Sequence, residues 1–215
     1  MFESSRRRII LADDHALLLD AFTKLLEPHF EIVGTAVDGR ELVKLASKLK
    51  PDVIVSDISM PLLNGLDAAA KIKNLQPDIK FVFLTVNEDP DLVAEAFRLG
   101  GNGYLLKSSA STELFKAIEV VVNGGKYVTP LITGAMIGSM LQTPSERNKQ
   151  HVLTTRQREI LQLLAEGKTM KEAANILCVT SRTVAFHKYR IMEDLGIKTN
   201  SELIHYAIKH GLISI

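Results

Sequence analysis

Five positions in the first half of the sequence carry groups able to act together on a phosphoryl group or a hard cation. Asp13 and Asp14 follow the apolar run IILA, Asp57 ends PDVIVSD, Thr85 ends FVFLT and Lys107 ends GYLLK. Three carboxylates brought together repel one another unless a cation sits among them, and carboxylate oxygens with room left for water suit Mg2+. With that charge screened, Asp57 is a nucleophile able to form an aspartyl phosphate. The Lys107 ammonium and the Thr85 hydroxyl would neutralise the equatorial phosphoryl oxygens, and no protein base is demanded. Taken singly, each group has an ordinary explanation: Asp57 a turn residue, Asp13 or Asp14 a cap for a helix starting near His15, Thr85 a locally bonded strand residue. Their shared place, at the end of an apolar run, is what makes them a constellation.

The elements that must position them alternate regularly. Apolar runs fall at 9–12, 32–37, 53–55, 81–84 and 104–106, and helical periodicities lie near 15–27, 39–49, 65–75, 90–99 and 112–123. Five βα units of this kind predict a doubly wound parallel sheet, α/β in class, whose ligand crevice lies beyond the carboxyl ends of the strands. All five groups fall there.

Beyond residue 125 the pattern changes. TPLITGAMIGSMLQ places Thr129 as an N-cap and Pro130 at the first helical position, with Ile132, Met136 and Met140 spaced as one face of a short helix. QTPSERNKQH then has the composition of an exposed linker. From about residue 152 the chain is wholly helical. Thr154 to Gln157 and Thr169 to Glu172 have capping-box spacing, and Gly167, Gly196 and Gly211 mark stops. About three residues around Cys178 join the second and third of these helices, as a helix-turn-helix requires. The expected domains are 1–125, a connecting helix and linker over 126–150, and an all-α four-helix domain over 151–215.

Length and charge agree with this division. A chain of 215 residues is long enough for two modest cores. Residues 1–125 hold 14 Lys/Arg against 18 Asp/Glu, and residues 151–215 hold 9 against 6, so a polyanion is expected on the C-terminal part. The lone Cys178 excludes an intramolecular disulfide and any multi-cysteine metal site. The N-terminus reaches two aspartates after only four apolar residues, unlike a secretory signal. The uncharged run 127–145 is interrupted by Pro130 and Pro144, short of the roughly 20 residues a bilayer needs. A cytoplasmic protein without a membrane partner is expected.

These residues carry a resemblance. Asp13-Asp14, Asp57 in DISMP with Gly65 downstream, Thr85, and GYLLK ending at Lys107 resemble the receiver domain of two-component response regulators. The C-terminal LTTRQREILQLLAEG, TVAFHKYRIMEDLGI and ELIHYAIKHGLI resemble the LuxR-type helix-turn-helix, and the pair resembles the NarL/FixJ subfamily. The resemblance covers nearly the whole chain. It implies a flavodoxin-like five-stranded sheet of order 2-1-3-4-5, with Asp57 accepting phosphate from a sensor histidine kinase. Thr85 and Tyr104 would be switch residues and Lys107 the counter-charge. Mg2+ would be held by Asp13, Asp14, Asp57 and the backbone carbonyl of Ser59. Double-stranded DNA would meet Lys171, Arg182, Thr183, Ala185, Phe186, Lys188, Tyr189 and Arg190. A homodimer is the expected active form, RNA polymerase is a further candidate partner, and no enzymatic turnover of free substrates is expected.

The sequence departs from the family at three places. Gly101 stands where Ala is frequent, a change expected to be harmless; Ala185 stands where Lys often follows Thr-Val; and Met170 replaces a common Asn. Fewer positive donors on the recognition helix should lower DNA affinity or change sequence preference. Two rivals follow: a Mg2+-dependent phosphohydrolase, disfavoured by Ser59 where an acid/base Asp is usual, and a binding module that has lost its DNA-reading surface.

Overall fold

The computed structural model describes residues 6–133 and 153–213. The chain divides into two compact units, Met1–Leu141 and Gln142–Ile215.

In the first unit, strands β1 (Arg8–Ala12), β2 (Glu31–Ala36), β3 (Val53–Asp57), β4 (Lys80–Thr85) and β5 (Gly103–Leu106) alternate with helices α1 (Ala16–Leu26), α2 (Gly39–Leu49), α3 (Gly65–Leu75), α4 (Pro90–Arg98) and α5 (Ala110–Val122). All pairings are parallel, in the order β2-β1-β3-β4-β5. The strands are apolar throughout because both faces are covered, and their period of two divides the core. Ile10, Ile54, Phe81, Phe83 and Tyr104 face α2, α3 and α4, with Leu42, Ile72 and Val93. Ile9, Leu11, Val55, Val82 and Leu105 face α1 and α5, with Phe22, Leu114 and Ile118.

The sheet has a sixth strand, β6 (Tyr127–Val128), parallel to β5 at the edge. It lies in the stretch expected to begin the connection. The ladder continues past it, since Thr129 N donates to Tyr104 O at 3.0 Å. Thr129 is fully buried, but its hydroxyl accepts from Leu106 N at 3.1 Å rather than capping a helix. Residues 130–133 are helical as expected from Pro130, and Ile132 joins the buried core on the side of α2, α3 and α4. Met136, Met140 and the polar linker lie outside the described residues.

The second unit has four helices among its described residues, α6 (Thr155–Ala165), α7 (Met170–Ile176), α8 (Ser181–Leu195) and α9 (Asn200–Lys209). Both expected capping boxes form, and a third joins Thr199 to Glu202. Ile160, Leu163, Ala173, Val184, Ile191, Leu203 and Ala207 are buried. Gln157 of α6 reaches Asp194 of α8 at 3.3 Å, and Arg156 donates to Leu177 O at 3.1 Å. On α9, Leu203 and Ala207 enter the core while Ile204 is 37 % exposed. Gly196 ends α8 at φ 66, in the left-handed region that favours glycine.

Candidate functional site

The strand ends meet at one rim. The chain leaves β1, β3 and β5 still bonded to its neighbours: Asp13 N to Ala36 O, Ile58 N to Leu84 O and Lys107 N to Thr85 O at 2.7 Å. The residues after each apolar run are thereby fixed in register. Lys107 Nζ lies 2.8 Å from Asp13 Oδ2 and 2.9 Å from Asp57 Oδ2, so one ammonium bridges two carboxylates that are almost wholly buried. Asp14 stands at the mouth, one third exposed, and His15 Nδ1 is 2.9 Å from its Oδ1 and 3.1 Å from Asp13 Oδ1. Neither aspartate caps α1; the cap position is His15, whose backbone N–H donates to Asp13 Oδ1.

The loop after Asp57 is held against it. Ser59 N donates to Asp57 Oδ1 at 3.3 Å, and Gly65 N donates to Ile58 O at 2.7 Å. A Cβ at Gly65 would stand 2.1 Å from Asp57 O, which excludes every other residue without moving the acceptor strand.

Electrostatics follow from this packing. Burial pushes the Asp57 carboxyl above its ordinary range; Lys107 pulls it down, Asp13 pushes it up, and burial prevails. Burial alone would weaken the Lys107 ammonium, yet its hydrogen bonds and ion pairs to Asp13 and Asp57 outweigh that and raise it. Two buried carboxylates share one ammonium, with a third carboxylate at the mouth, so the cluster keeps an excess of negative charge on hard oxygen donors. Asp13, Asp14 and His15 offer ligand atoms within 4.8 Å of one another. Of these, the Asp13 and Asp14 carboxylate oxygens are donors of the kind that fit a hard divalent cation.

Thr85 and Tyr104 occupy neighbouring strands on the α4 side. Thr85 is 3 % exposed and its Oγ1 accepts from Asn87 N at 3.0 Å. The Tyr104 ring is buried, and its hydroxyl donates to Asn87 O at 3.0 Å. Burial first, and the nearby Asp89 charge, hold that phenol far above its usual value, so it stays a donor. Asn87 and His15 were missed from the sequence. The adjacency of His15 to Asp13-Asp14 was the available signal; Asn87 contributes backbone atoms and gave none.

In the second unit the turn between α7 and α8 passes through Cys178 at φ 54. Thr180 caps α8 by accepting from Thr183 N at 3.2 Å, and the two threonine hydroxyls lie 3.0 Å apart. Val184 and Ile191 are buried, which turns Arg182, Phe186 and Tyr189 outward; the two rings are 62 % and 63 % exposed. Ala185 and Lys188 are half-buried on the flanks, Lys188 Nζ being 5.9 Å from the Tyr189 ring centre. Arg190 is exposed, 3.8 Å from Asp194, and Lys171 is exposed on α7.

Residues 9–119 match the response regulator receiver domain, and residues 151–207 match the bacterial regulatory proteins of the luxR family. This chain is a two-component response regulator of the NarL/FixJ type. It is 34 % identical over 216 residues to the transcriptional regulatory protein MctR of Rhizobium johnstonii, covering 100 % of this chain and 99 % of that protein. Among solved structures it resembles RcsB from Salmonella enterica serovar Typhimurium bound to promoter rprA with the phosphomimetic BeF3-. That match has a TM-score of 0.60 and 25 % identity, covering 95 % of this chain and 99 % of that one. A structure of two RcsB dimers bound to two parallel DNAs matches with a TM-score of 0.58 and 28 % identity over 94 % and 98 %. The response regulator is thus a transcription regulator with a LuxR-type DNA-binding domain. Among its described residues no helix is long and apolar enough to cross a membrane.

Proposed function

We propose that Asp57 is the phosphoryl acceptor of this response regulator, with residues 1–125 as the receiver, 126–150 as the connection and 151–215 as the DNA-binding domain. The observation that carries the assignment is the Lys107 ammonium held 2.8 Å and 2.9 Å from Asp13 and Asp57. Mg2+ bound by Asp13, Asp14, Asp57 and the Ser59 carbonyl would supply positive charge to the phosphoryl oxygens. An Asp57 oxygen attacks phosphorus on the phosphohistidine of a sensor kinase; the acyl phosphate forms as the P–N bond breaks, and the histidine leaves with the electron pair. Lys107 then pairs with the phosphoryl group, and Thr85 Oγ1 exchanges the Asn87 N–H for a phosphoryl oxygen. That exchange loosens the loop on which Tyr104 rests and shifts an equilibrium already present. Ser59 faces Asp57 with an N–H and no carboxyl, which supports a stoichiometric acceptor over a hydrolase.

The output is control of promoter binding by a cytoplasmic homodimer, with RNA polymerase as a downstream partner. The DNA-facing set is Lys171, Arg182, Thr183, Ala185, Phe186, Lys188, Tyr189 and Arg190; the Thr183 hydroxyl, engaged with Thr180, is the member least free to read a base. The test compares affinity for promoter DNA with and without beryllofluoride and Mg2+, in the natural chain and in Asp57→Ala. Tightening confined to the natural chain is expected; equal binding in all four conditions overturns phospho-control.

A further inference from the structure

The face of α8 opposite its buried Val184 and Ile191 is unusual for a surface that must meet a polyanion. With the small Ala185 half-buried at its flank, that face presents Arg182 and the rings of Phe186 and Tyr189. Among the described residues these two are the exposed large aromatics, and they lie three positions apart on one side of the helix. Lys188 Nζ lies 5.9 Å from the Tyr189 ring centre, and Arg190 on α8 and Lys171 on α7 are exposed. Glu193 is exposed one turn beyond Tyr189 and puts a negative charge at the far end of the same face.

We infer that Ala185, Phe186 and Tyr189 make this response regulator's recognition helix a reader of thymine methyl groups. The inference rests on the DNA-binding reading above and specifies what is read. In the major groove the thymine C5-methyl is the apolar group at a base edge; guanine, adenine and cytosine present acceptors or donors. A phenyl ring pressed on those polar edges strips their water without replacing it, which is costly. The same surface therefore gains at thymine and loses at a G·C pair. One helical turn separates the two rings by roughly 5–6 Å, against 3.4 Å between successive base pairs along a strand. Both rings thus fall within one or two steps of a single half-site. The flanking Lys and Arg neutralise phosphates and carry no sequence information.

The test uses the full-length protein with beryllofluoride and Mg2+. The probe is the duplex pool it retains from random-sequence DNA, resynthesised with uracil in place of thymine. Uracil removes only the methyl. We expect weaker binding of the uracil pool, roughly fourfold for each methyl group taken out of the interface, with an unchanged dependence on salt. Phe186→Ala and Tyr189→Ala alter exposed side chains, so the fold is retained; each should bind the thymine pool less tightly and bring the thymine-to-uracil ratio towards one. Equal affinity for both pools, with steep salt dependence kept, overturns methyl readout and leaves DNA binding standing. A ratio unmoved by either substitution overturns the assignment to these rings. No retention of any duplex overturns DNA binding itself.

Discussion

At the scale of single residues, the site is a balance between one ammonium and two buried carboxylates. Removing the ammonium leaves Asp13 and Asp57 facing each other without their shared counter-charge, and breaking a buried pair from one side costs about 3 kcal/mol or more. Lys107→Met should therefore lower unfolding free energy in urea by about that amount, and adding Asp13→Asn should return a large part of it. The opposite sign applies to Asp57. Its pKa in the folded state is raised by burial, so protonation favours the fold, and that contribution is lost as pH rises through the raised value. At neutral pH the ionised group is a liability without a divalent cation. Asp57→Asn should melt above the natural chain in chelator at pH 7, the gap closing as pH falls; Mg2+ should raise the natural chain more. A gap independent of pH would sink this account. Asp13, Asp14, Asp57, Thr85 and Lys107 were legible in sequence because each offers its side chain at the end of an apolar run. Asn87 was not, because it holds Thr85 and Tyr104 through a backbone N–H and carbonyl that every residue but proline possesses.

At the scale of elements, the five βα units were legible because both periods, two for strands and 3.6 for helices, persist over enough residues to be read. β6 was not: Tyr127–Val128 is too short to show a period, and what makes it a strand is the free edge of β5. The Thr-Pro pair following it has a helix-start pattern, and Pro130 does begin one, but tertiary structure takes the Thr129 hydroxyl for Leu106 N. The chain leaving the first unit is thus stapled to the strand that carries Tyr104 and leads into Lys107. Thr129→Val keeps the shape and leaves a buried N–H unpaired, at a cost of about 1–3 kcal/mol. Hydrogen exchange at the Leu106 amide should quicken in that variant and stay slow in Thr129→Ser; an unchanged rate would show the hydroxyl to be idle. Gly101, where alanine is frequent in the family, is fitted to the packing of this chain. A Cβ there would lie 2.8 Å from both Ala96 O and the Phe83 ring, so the glycine accommodates Phe83. Gly101→Ala should destabilise by about 1–3 kcal/mol, and Phe83→Leu should relieve the part due to the ring.

At the scale of the whole molecule, chemistry and DNA recognition belong to units with separate cores, so their contributions can be read by different measurements. The salt dependence of DNA affinity counts phosphates neutralised, about −0.9 in logarithmic slope for each. If the proposed DNA-facing cations Lys171, Arg182, Lys188 and Arg190 supply that charge in one copy, the slope should be about −3 to −4. The receiver, in which acidic residues outnumber basic ones, is expected to add little to it. If phosphorylation acts by bringing two copies onto half-sites about one helical turn apart, beryllofluoride should roughly double the slope. If it merely uncovers α8 within one copy, affinity should rise at constant slope. We expect doubling in the natural chain and the single-copy slope in Asp57→Ala under the same conditions. Titrations of one promoter duplex across a range of salt concentrations decide between them, and a constant slope with beryllofluoride would remove dimer docking from the mechanism while leaving Asp57 as its trigger.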